Sequence, residues 1–152
     1  MILYLDFDGV LHPREVFVVN GEPELRWPLA PELQLFCWAD ILDTVLDEHD
    51  PAGRVGIVLS TSWGHHFGQQ EAASYLPEGL RNRVVGRTIE LKAPRGWEIA
   101  IHAEEKGIID WIALDDDVFM WPEEYQHRLV DCDPSLGLSN LATVNKLKAL
   151  LQ

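Results

Sequence analysis

Three short apolar segments predict the strands of a buried sheet. They are Ile2–Phe7, Val55–Leu59 and Ile108–Leu114, and each consists almost wholly of apolar residues. Continuous apolar runs of this length, without a polar residue at every second position, are typical of strands covered on both faces. Parallel sheets have such strands. The pattern therefore favours a parallel sheet with helices on both sides.

Segments with helical periodicity lie between these strands. Their apolar residues recur three and four positions apart, as expected for amphipathic helices. The predicted helices are Glu32–Glu48, His66–Tyr75 and Gly96–Lys106, followed by a last helix that Ser139 caps. Strands that alternate with helices indicate the α/β class with right-handed crossovers. We therefore expect a single Rossmann-like, three-layer domain over residues 1–152.

A hairpin is predicted directly after the first strand. The apolar segments Val16–Val19 and Leu25–Trp27 flank Asn20-Gly21, and an Asn-Gly pair in this position is a strong hairpin signal. Further along, Arg83–Leu91 is predicted to be extended, and Arg128–Val130 to be a short strand. The hairpin is short enough to act as a small flap near the end of the first strand.

Composition and charge narrow the possible functions. The 152 residues include 25 acidic and 12 basic ones, for a net charge of −13, so stable binding to a nucleic-acid backbone is not expected. No apolar run approaches the roughly 20 residues that span a bilayer, and Met1 leads into no signal peptide. Cys37 and Cys132 lack a CxxC arrangement and are expected to be free, buried thiols. A cytoplasmic protein, monomeric or weakly dimeric, is the expectation.

Each predicted strand ends in a cluster of polar residues. These clusters are Asp6-Phe7-Asp8, Ser60-Thr61-Ser62 and Asp115-Asp116-Asp117. The carboxyl ends of parallel strands meet at one edge of a sheet, which is where the sites of open α/β sheets lie. The three clusters are therefore expected to form one site.

The residue types in these clusters favour phosphate chemistry. Asp6 and Asp8 emerge on the same side of the chain because side chains alternate along a strand. With Asp115 and Asp116 they make a set of oxygen ligands that suits Mg²⁺, which commonly completes its coordination shell with water and substrate phosphate. A hydroxyl from Thr61 or Ser60 and an ammonium group from Lys92 are then available for the phosphoryl oxygens. The expected substrate is a phosphate ester.

These residues resemble the four ordered motifs of the haloacid dehalogenase-like (HAD) superfamily. The motifs are Asp6-Phe7-Asp8-Gly9-Val10, the strand ending in Ser60-Thr61-Ser62, Lys92, and Leu114-Asp115-Asp116. The longer strings DFDGVLH and STSW are similar to a branch of small bacterial and phage HAD hydrolases, some relatives of which are linked to RNA repair. The resemblance covers residues 1 to about 118 and implies a phosphatase.

The resemblance also implies a role for individual residues. Asp6 would be the nucleophile that forms an aspartyl-phosphate, and Asp8 the general acid and base. Thr61 would bind the phosphoryl group and Lys92 would neutralise it, although Ser60 and Arg95 remain alternatives for these two roles. Mg²⁺ would be held by Asp6, Asp115, Asp116 and the backbone carbonyl of Asp8.

Further residues are expected around the substrate. Gly9, Ser62 and Trp63 are candidates for contact with it, and His12 either lines the pocket or fixes the turn before Pro13. Neither gap between the motifs has room for a large cap domain, so the resemblance implies an open site for a small phosphorylated molecule or an exposed phosphate on a larger one. A polynucleotide-end phosphatase and a receiver-like phospho-acceptor domain are the alternative functions.

Overall fold

A five-stranded parallel sheet forms the centre of the protein. The computed structural model describes residues 1–152. The strands in chain order are β1 (Ile2–Leu5), β2 (Val16–Val19), β3 (Glu22–Leu25), β4 (Gly56–Leu59), β5 (Val84–Arg87), β6 (Trp111–Asp115) and β7 (Leu129–Asp131). The sheet has the order β5-β4-β1-β6-β7, and all its pairings are parallel. Strands β2 and β3 form the predicted antiparallel hairpin.

Helices connect the strands and cover both faces of the sheet. They are α1 (Ala39–His49), α2 (Ser62–Phe67), α3 (Gln69–Ser74), α4 (Glu78–Arg81), α5 (Arg95–Glu105) and α6 (Leu141–Leu150). Two short 3-10 helices, Glu123–Arg128 and Gly137–Ser139, flank β7. None of the helices has the length and apolar character that a membrane crossing requires.

Strict alternation along β1 divides the core into two parts. Leu3 and Leu5 belong to the larger cluster, together with buried residues of α1 and α6. Tyr4 faces the opposite side, in a smaller cluster with Ile99 and Ala103 of α5. The sheet therefore lies between two helical layers, which confirms the predicted Rossmann-like α/β architecture.

The strand register brings the predicted polar clusters to one level of the sheet. Leu5 at the end of β1 pairs with Leu59 of β4 on one side and with Leu114 of β6 on the other. The next residues along the chain are Asp6, Ser60 and Asp115. Consequently the polar residues after all three strands start at the same edge, as the sequence predicted.

Two predicted helices differ from the observed ones. The helix expected over Glu32–Glu48 starts only at Ala39, because Phe36 has a φ of 59°, in the left-handed region, and interrupts the helical turns before it. The helix expected over His66–Tyr75 is two short helices, α2 and α3, separated by Gly68 with a φ of 85°. Both breaks occur at single residues inside otherwise periodic segments.

Smaller differences concern a cap and a thiol. Ser139 lies in a 3-10 helix, and it is the Asn140 side chain that accepts a hydrogen bond from Ala142 N at the start of α6. Cys132 is buried as expected, but Cys37, in the turns before α1, is exposed. Both cysteines are free.

A buried Tyr–His pair lies between β1 and α5. The Tyr4 hydroxyl and His102 Nδ1 are 2.8 Å apart, and both side chains are buried. Burial lowers the pKa of His102. The positive charge of Lys106 lowers this pKa further, whereas the negative charge of Glu105 raises it. A buried imidazole that resists protonation makes folding pH-dependent, because the unfolded chain takes up the proton first.

We predict that His102 makes the protein less stable in mild acid. As the pH falls below about 6.5, the usual histidine pKa, the unfolded state gains a proton that the folded state does not bind, so the free energy of unfolding falls by at most about 1.4 kcal/mol per pH unit from this group. His102→Asn keeps an acceptor for Tyr4 and removes the titration. Urea unfolding between pH 7 and pH 5 should show a shallower decline for this variant. The exposed His127→Asn control should decline like the wild type, and equal slopes in all three proteins would contradict the prediction.

Candidate active site

Three buried carboxylates meet at the carboxyl edge of the sheet. Asp6 follows β1, Asp115 ends β6, and Asp116 follows it. Their relative exposures are 4%, 0% and 9%, and one oxygen from each lies within 4.8 Å of the other two. The sheet itself places them, because β1 and β6 are hydrogen-bonded neighbours. These three residues are called the acid triad below.

The acid triad is electrostatically unfavourable by itself. Burial, reinforced by the charge of Asp6, raises the pKa of Asp115 well above its usual range. The same two causes raise the pKa of Asp116 to about 7. Carboxylates in this position are stabilised by a nearby positive charge, and an all-oxygen donor set of this size suits a hard divalent cation. The residues present therefore fit a metal site.

Arg95 supplies one positive charge. It is the first residue of α5, and its Nη1 lies 3.0 Å from Asp115 Oδ2 and 3.4 Å from Asp6 Oδ1. Lys92, predicted for the neutralising role, is exposed and makes no ion pair with the triad. The structure thus brings Arg95, and not Lys92, to the cluster.

Arg14 supplies a second positive charge that the sequence did not indicate. Its Nε donates a hydrogen bond to Asp116 Oδ2 at 2.7 Å, and half of its side chain remains exposed. Arg14 comes just after the first motif, where nothing in the residue pattern marks it as part of the site. Gly9 keeps the chain close to Asp116: its φ is 75°, and a Cβ atom there would overlap the Asp116 carboxylate.

The Asp8 carboxylate lies beside the acid triad but is not part of it. Its Oδ1 is 2.9 Å from Trp63 Nε1 and 2.8 Å from His12 Nε2, and 26% of its side chain is exposed. Phe7, between the two aspartates, is fully buried in the larger core cluster. Asp6 and Asp8 line the same cavity, as the alternation predicted. The contribution of the Asp8 backbone carbonyl to a metal site stays a prediction.

The hydroxyl residues after β4 occupy three different environments. Ser60 and Thr61 are fully buried, and the Ser60 hydroxyl has no hydrogen-bond partner. Thr61 caps α2 by accepting a hydrogen bond from Trp63 N at 3.3 Å, so its own proton remains available to a further acceptor. Ser62 is exposed and lines the cavity that contains both aspartates.

Trp63 is almost fully buried, but it still lines a cavity beside Asp8. It is only 4% exposed and packs among Phe7, Phe36, Phe67 and Tyr75, and its direct contact with substrate stays a prediction. Its only side-chain polar contact is the hydrogen bond to Asp8. The indole N–H therefore donates to a carboxylate of the site. His12, which is fully buried, has the same carboxylate as a partner.

Two cavities open beside Asp8. The first, of about 320 Å³, is wholly polar and is lined by Asp6, Asp8, Arg14, Ser62, Arg95, Asp116 and Asp117. The second, of about 230 Å³, lies between the hairpin and α2, and its lining includes Val16, Val18, Pro23 and Phe67. Asp8 and Ser62 line both cavities. The site thus joins a charged compartment to a more apolar one.

The sheet order and the acids at its carboxyl edge define a Rossmann-like α/β domain with its site after the first and fourth strands of the sheet in chain order. The chain belongs to the family described as the HAD domain in Swiss Army Knife RNA repair proteins, which matches residues 2–142. This confirms the predicted HAD superfamily membership and indicates a hydrolase of the phosphatase type. No curated protein and no solved structure shows a significant match to the chain.

Proposed function

We propose that this protein is a Mg²⁺-dependent phosphatase that works through an aspartyl-phosphate on Asp6. One observation carries the proposal: two carboxylates with different surroundings, Asp6 and Asp8, line a single polar cavity together with Arg14 and Arg95. A phosphoryl group needs a nucleophile, a proton donor and positive charge around its oxygens. The cavity contains all three.

The reaction divides between the two aspartates. A carboxylate oxygen of Asp6 attacks phosphorus, the ester P–O bond breaks, and Asp8 gives its proton to the leaving oxygen. In the second half, Asp8 takes a proton from water as the water oxygen attacks phosphorus, and the acyl-phosphate bond breaks to restore Asp6. Asp6 is the more buried of the two, as suits a nucleophile shielded from bulk water, whereas Asp8 faces both cavities.

Arg95 and Arg14 are proposed to hold the phosphoryl oxygens. Arg95 contacts Asp6 itself, so a phosphoryl group on Asp6 comes within reach of the same guanidinium. Arg14 is half-exposed and can turn from Asp116 toward an incoming phosphate. Ser62 in the cavity and the free proton of Thr61 are the hydroxyl candidates.

Mg²⁺ is proposed to bind the acid triad. Asp6, Asp115 and Asp116 would hold it, with the Asp8 backbone carbonyl as a further oxygen ligand. When bound, the ion neutralises the triad and withdraws charge from the phosphoryl oxygens. Arg14 then no longer needs to compensate Asp116 and is available to the substrate.

The second cavity is proposed to receive the leaving group. Val16 and Val18 of the hairpin and Trp63 and Phe67 of α2 form its apolar wall, and Asp8 lies where it meets the charged compartment. The hairpin therefore acts as a small flap over the leaving group. Because both cavities are open to solvent, the phosphate can belong to a small molecule or project from a larger one.

A phosphorylated polynucleotide end is the second candidate substrate, and the family description supports it, since it refers to RNA repair proteins. The net charge of −13 opposes strong contact with a nucleic-acid backbone. The two facts are compatible if the protein engages only the terminal nucleotide, with the terminal phosphate in the charged compartment.

A phospho-acceptor signalling domain is disfavoured by the sheet. In such flavodoxin-like domains the first strand of the chain lies between the second and third strands, in the order 2-1-3-4-5. Numbered by chain order among its five members, this sheet has the order 3-2-1-4-5. The candidate acceptor in this chain, Asp6, also follows the first strand. Asp8, two residues later, is a second carboxylate that can protonate a leaving group.

We predict Mg²⁺-dependent hydrolysis of phosphate monoesters that depends on Asp6. The wild type should release phosphate from p-nitrophenyl phosphate with Mg²⁺ and lose this activity in EDTA, and Ca²⁺ should not restore it because its larger, more flexible coordination shell misplaces the nucleophile. Asp6→Asn should reduce kcat by at least about a thousandfold. Asp40→Asn, which changes an exposed acid on α1, is the matched control. Full activity in EDTA would exclude the metal, and an active Asp6→Asn protein would exclude the nucleophile.

The same assay separates the substrate classes. Phosphorylated metabolites, nucleotides and oligonucleotides with a 3′- or 5′-phosphate are compared under the same conditions. A kcat/KM for oligonucleotides well above that for the matching mononucleotide would favour the polynucleotide-end function.

We predict that Arg95, and not Lys92, is the cation that catalysis requires. Arg95→Ala should lower kcat/KM by about a hundredfold or more, because a buried positive charge is removed from the phosphoryl site. Lys92→Ala should stay within about twofold of the wild type, as expected for a solvated surface charge. Initial rates with p-nitrophenyl phosphate measure both. The reverse ranking, with both variants folded by circular dichroism, would show that the chain around Lys92 rearranges toward the site.

A further inference from the structure

Two side-chain nitrogens lie within hydrogen-bond distance of Asp8 Oδ1. Trp63 Nε1 lies 2.9 Å from this oxygen, and an indole N–H can only donate. His12 Nε2 lies 2.8 Å from the same oxygen. Whether it also donates depends on which ring nitrogen carries the hydrogen.

The backbone of Phe36 fixes the tautomer of His12. The Phe36 N–H donates to His12 Nδ1 at 3.0 Å, so Nδ1 is an unprotonated acceptor. The ring hydrogen therefore lies on Nε2, which donates to Asp8. Phe36 reaches this position in the left-handed region, with a φ of 59°, a conformation that a phenylalanine adopts only at a cost in free energy. The local chain is thus strained at the residue that sets the tautomer.

The two hydrogen bonds make the oxygens of Asp8 unequal. Two donors fill the lone-pair positions of Oδ1, so a proton on Asp8 must be carried by Oδ2. Oδ2 has no hydrogen-bond partner within the protein, and the exposed part of Asp8 faces the two cavities of the candidate active site. The oxygen that can exchange a proton is also the accessible one.

We propose that His12 and Trp63 are positioning residues that assign Oδ1 of Asp8 to anchoring and Oδ2 to proton transfer. The inference rests on the proposed phosphatase function. Oδ2–H gives its proton to the leaving oxygen as the ester P–O bond breaks, and Oδ2 later takes a proton from the attacking water. The hydrogen bonds from His12 and Trp63 set the rotamer of Asp8, so that its Oδ2 lies at the junction of the charged and apolar compartments.

A simple core role for the two rings is the competing explanation. Both are buried in an aromatic cluster with Phe7, Phe36 and Tyr75. Loss of packing alone would lower activity on every phosphate ester by a similar factor. Misplacement of a general acid instead penalises poor leaving groups, which need the proton, more than good ones.

The test compares kcat/KM for p-nitrophenyl phosphate with kcat/KM for an alkyl phosphate. This parameter covers only the steps through departure of the leaving group in a two-step mechanism, so slow hydrolysis of the phosphoenzyme does not affect it. Trp63→Phe and His12→Leu should lower the alkyl value at least about tenfold more than the nitrophenyl value. His12→Gln places an amide N–H near the position of Nε2 and should restore most of the alkyl activity. Tyr75→Phe, in the same aromatic cluster but without a bond to Asp8, should leave the ratio unchanged.

Equal losses on both substrates in folded Trp63→Phe and His12→Leu proteins would overturn the inference and leave the phosphatase function intact. A wild type without activity on any phosphate ester would overturn both. Nitrogen-15 NMR of the wild-type histidines at neutral pH gives a result independent of the variants. A His12 ring with hydrogen on Nε2 alone is expected, and a ring with hydrogen on Nδ1 would also overturn the inference.

Discussion

The constraint on which the site depends is the burial of three carboxylates within 4.8 Å of one another. Hydrogen bonding between β1 and β6 holds Asp6 and Asp115 side by side, and the glycine at position 9 lets the chain pass close to Asp116. Repulsion among buried acids has to be offset, and the fold supplies Arg95 from α5 and Arg14 from the segment before the hairpin. The two guanidinium groups, together with an acid cluster that fits a divalent cation, suit the binding of a phosphoryl group.

The end of β1 at Leu5 gives the two aspartates of the first motif different environments. Asp6 continues on the Tyr4 side of the sheet, where α5 presents Arg95. Asp8 comes after the strand has ended and meets Trp63 from α2. Two chemically identical side chains thus have different surroundings, which is how paired carboxylates take separate roles in other hydrolytic sites. The proposed nucleophile lies beside the Arg95 cation, and the proposed acid accepts hydrogen bonds from Trp63 and His12.

The sequence was sufficient to predict the strands and their common polar edge, because buried parallel strands have a simple apolar pattern and a polar residue at each end. The sequence pattern did not predict contacts between distant segments of the chain. Phe36 breaks a periodic segment because its N–H bonds to His12, 24 residues earlier. Arg95, at the start of α5, meets the acids, and Lys92, three residues earlier, does not. Nothing in the STSW string shows that the Trp63 N–H donates to Asp8, 55 residues earlier.

The central claim is that Asp6 becomes covalently phosphorylated, and intact-protein mass spectrometry after an acid quench tests it most directly. In the Asp8→Asn protein, attack on p-nitrophenyl phosphate still proceeds because its leaving group needs little protonation, whereas hydrolysis lacks its base. The account predicts the mass of one added phosphoryl group on this variant, mapped by peptide analysis to Asp6. An adduct on the Asp6→Asn protein, an adduct mapped to Asp8 in the wild type, or turnover with no adduct on Asp8→Asn would contradict it.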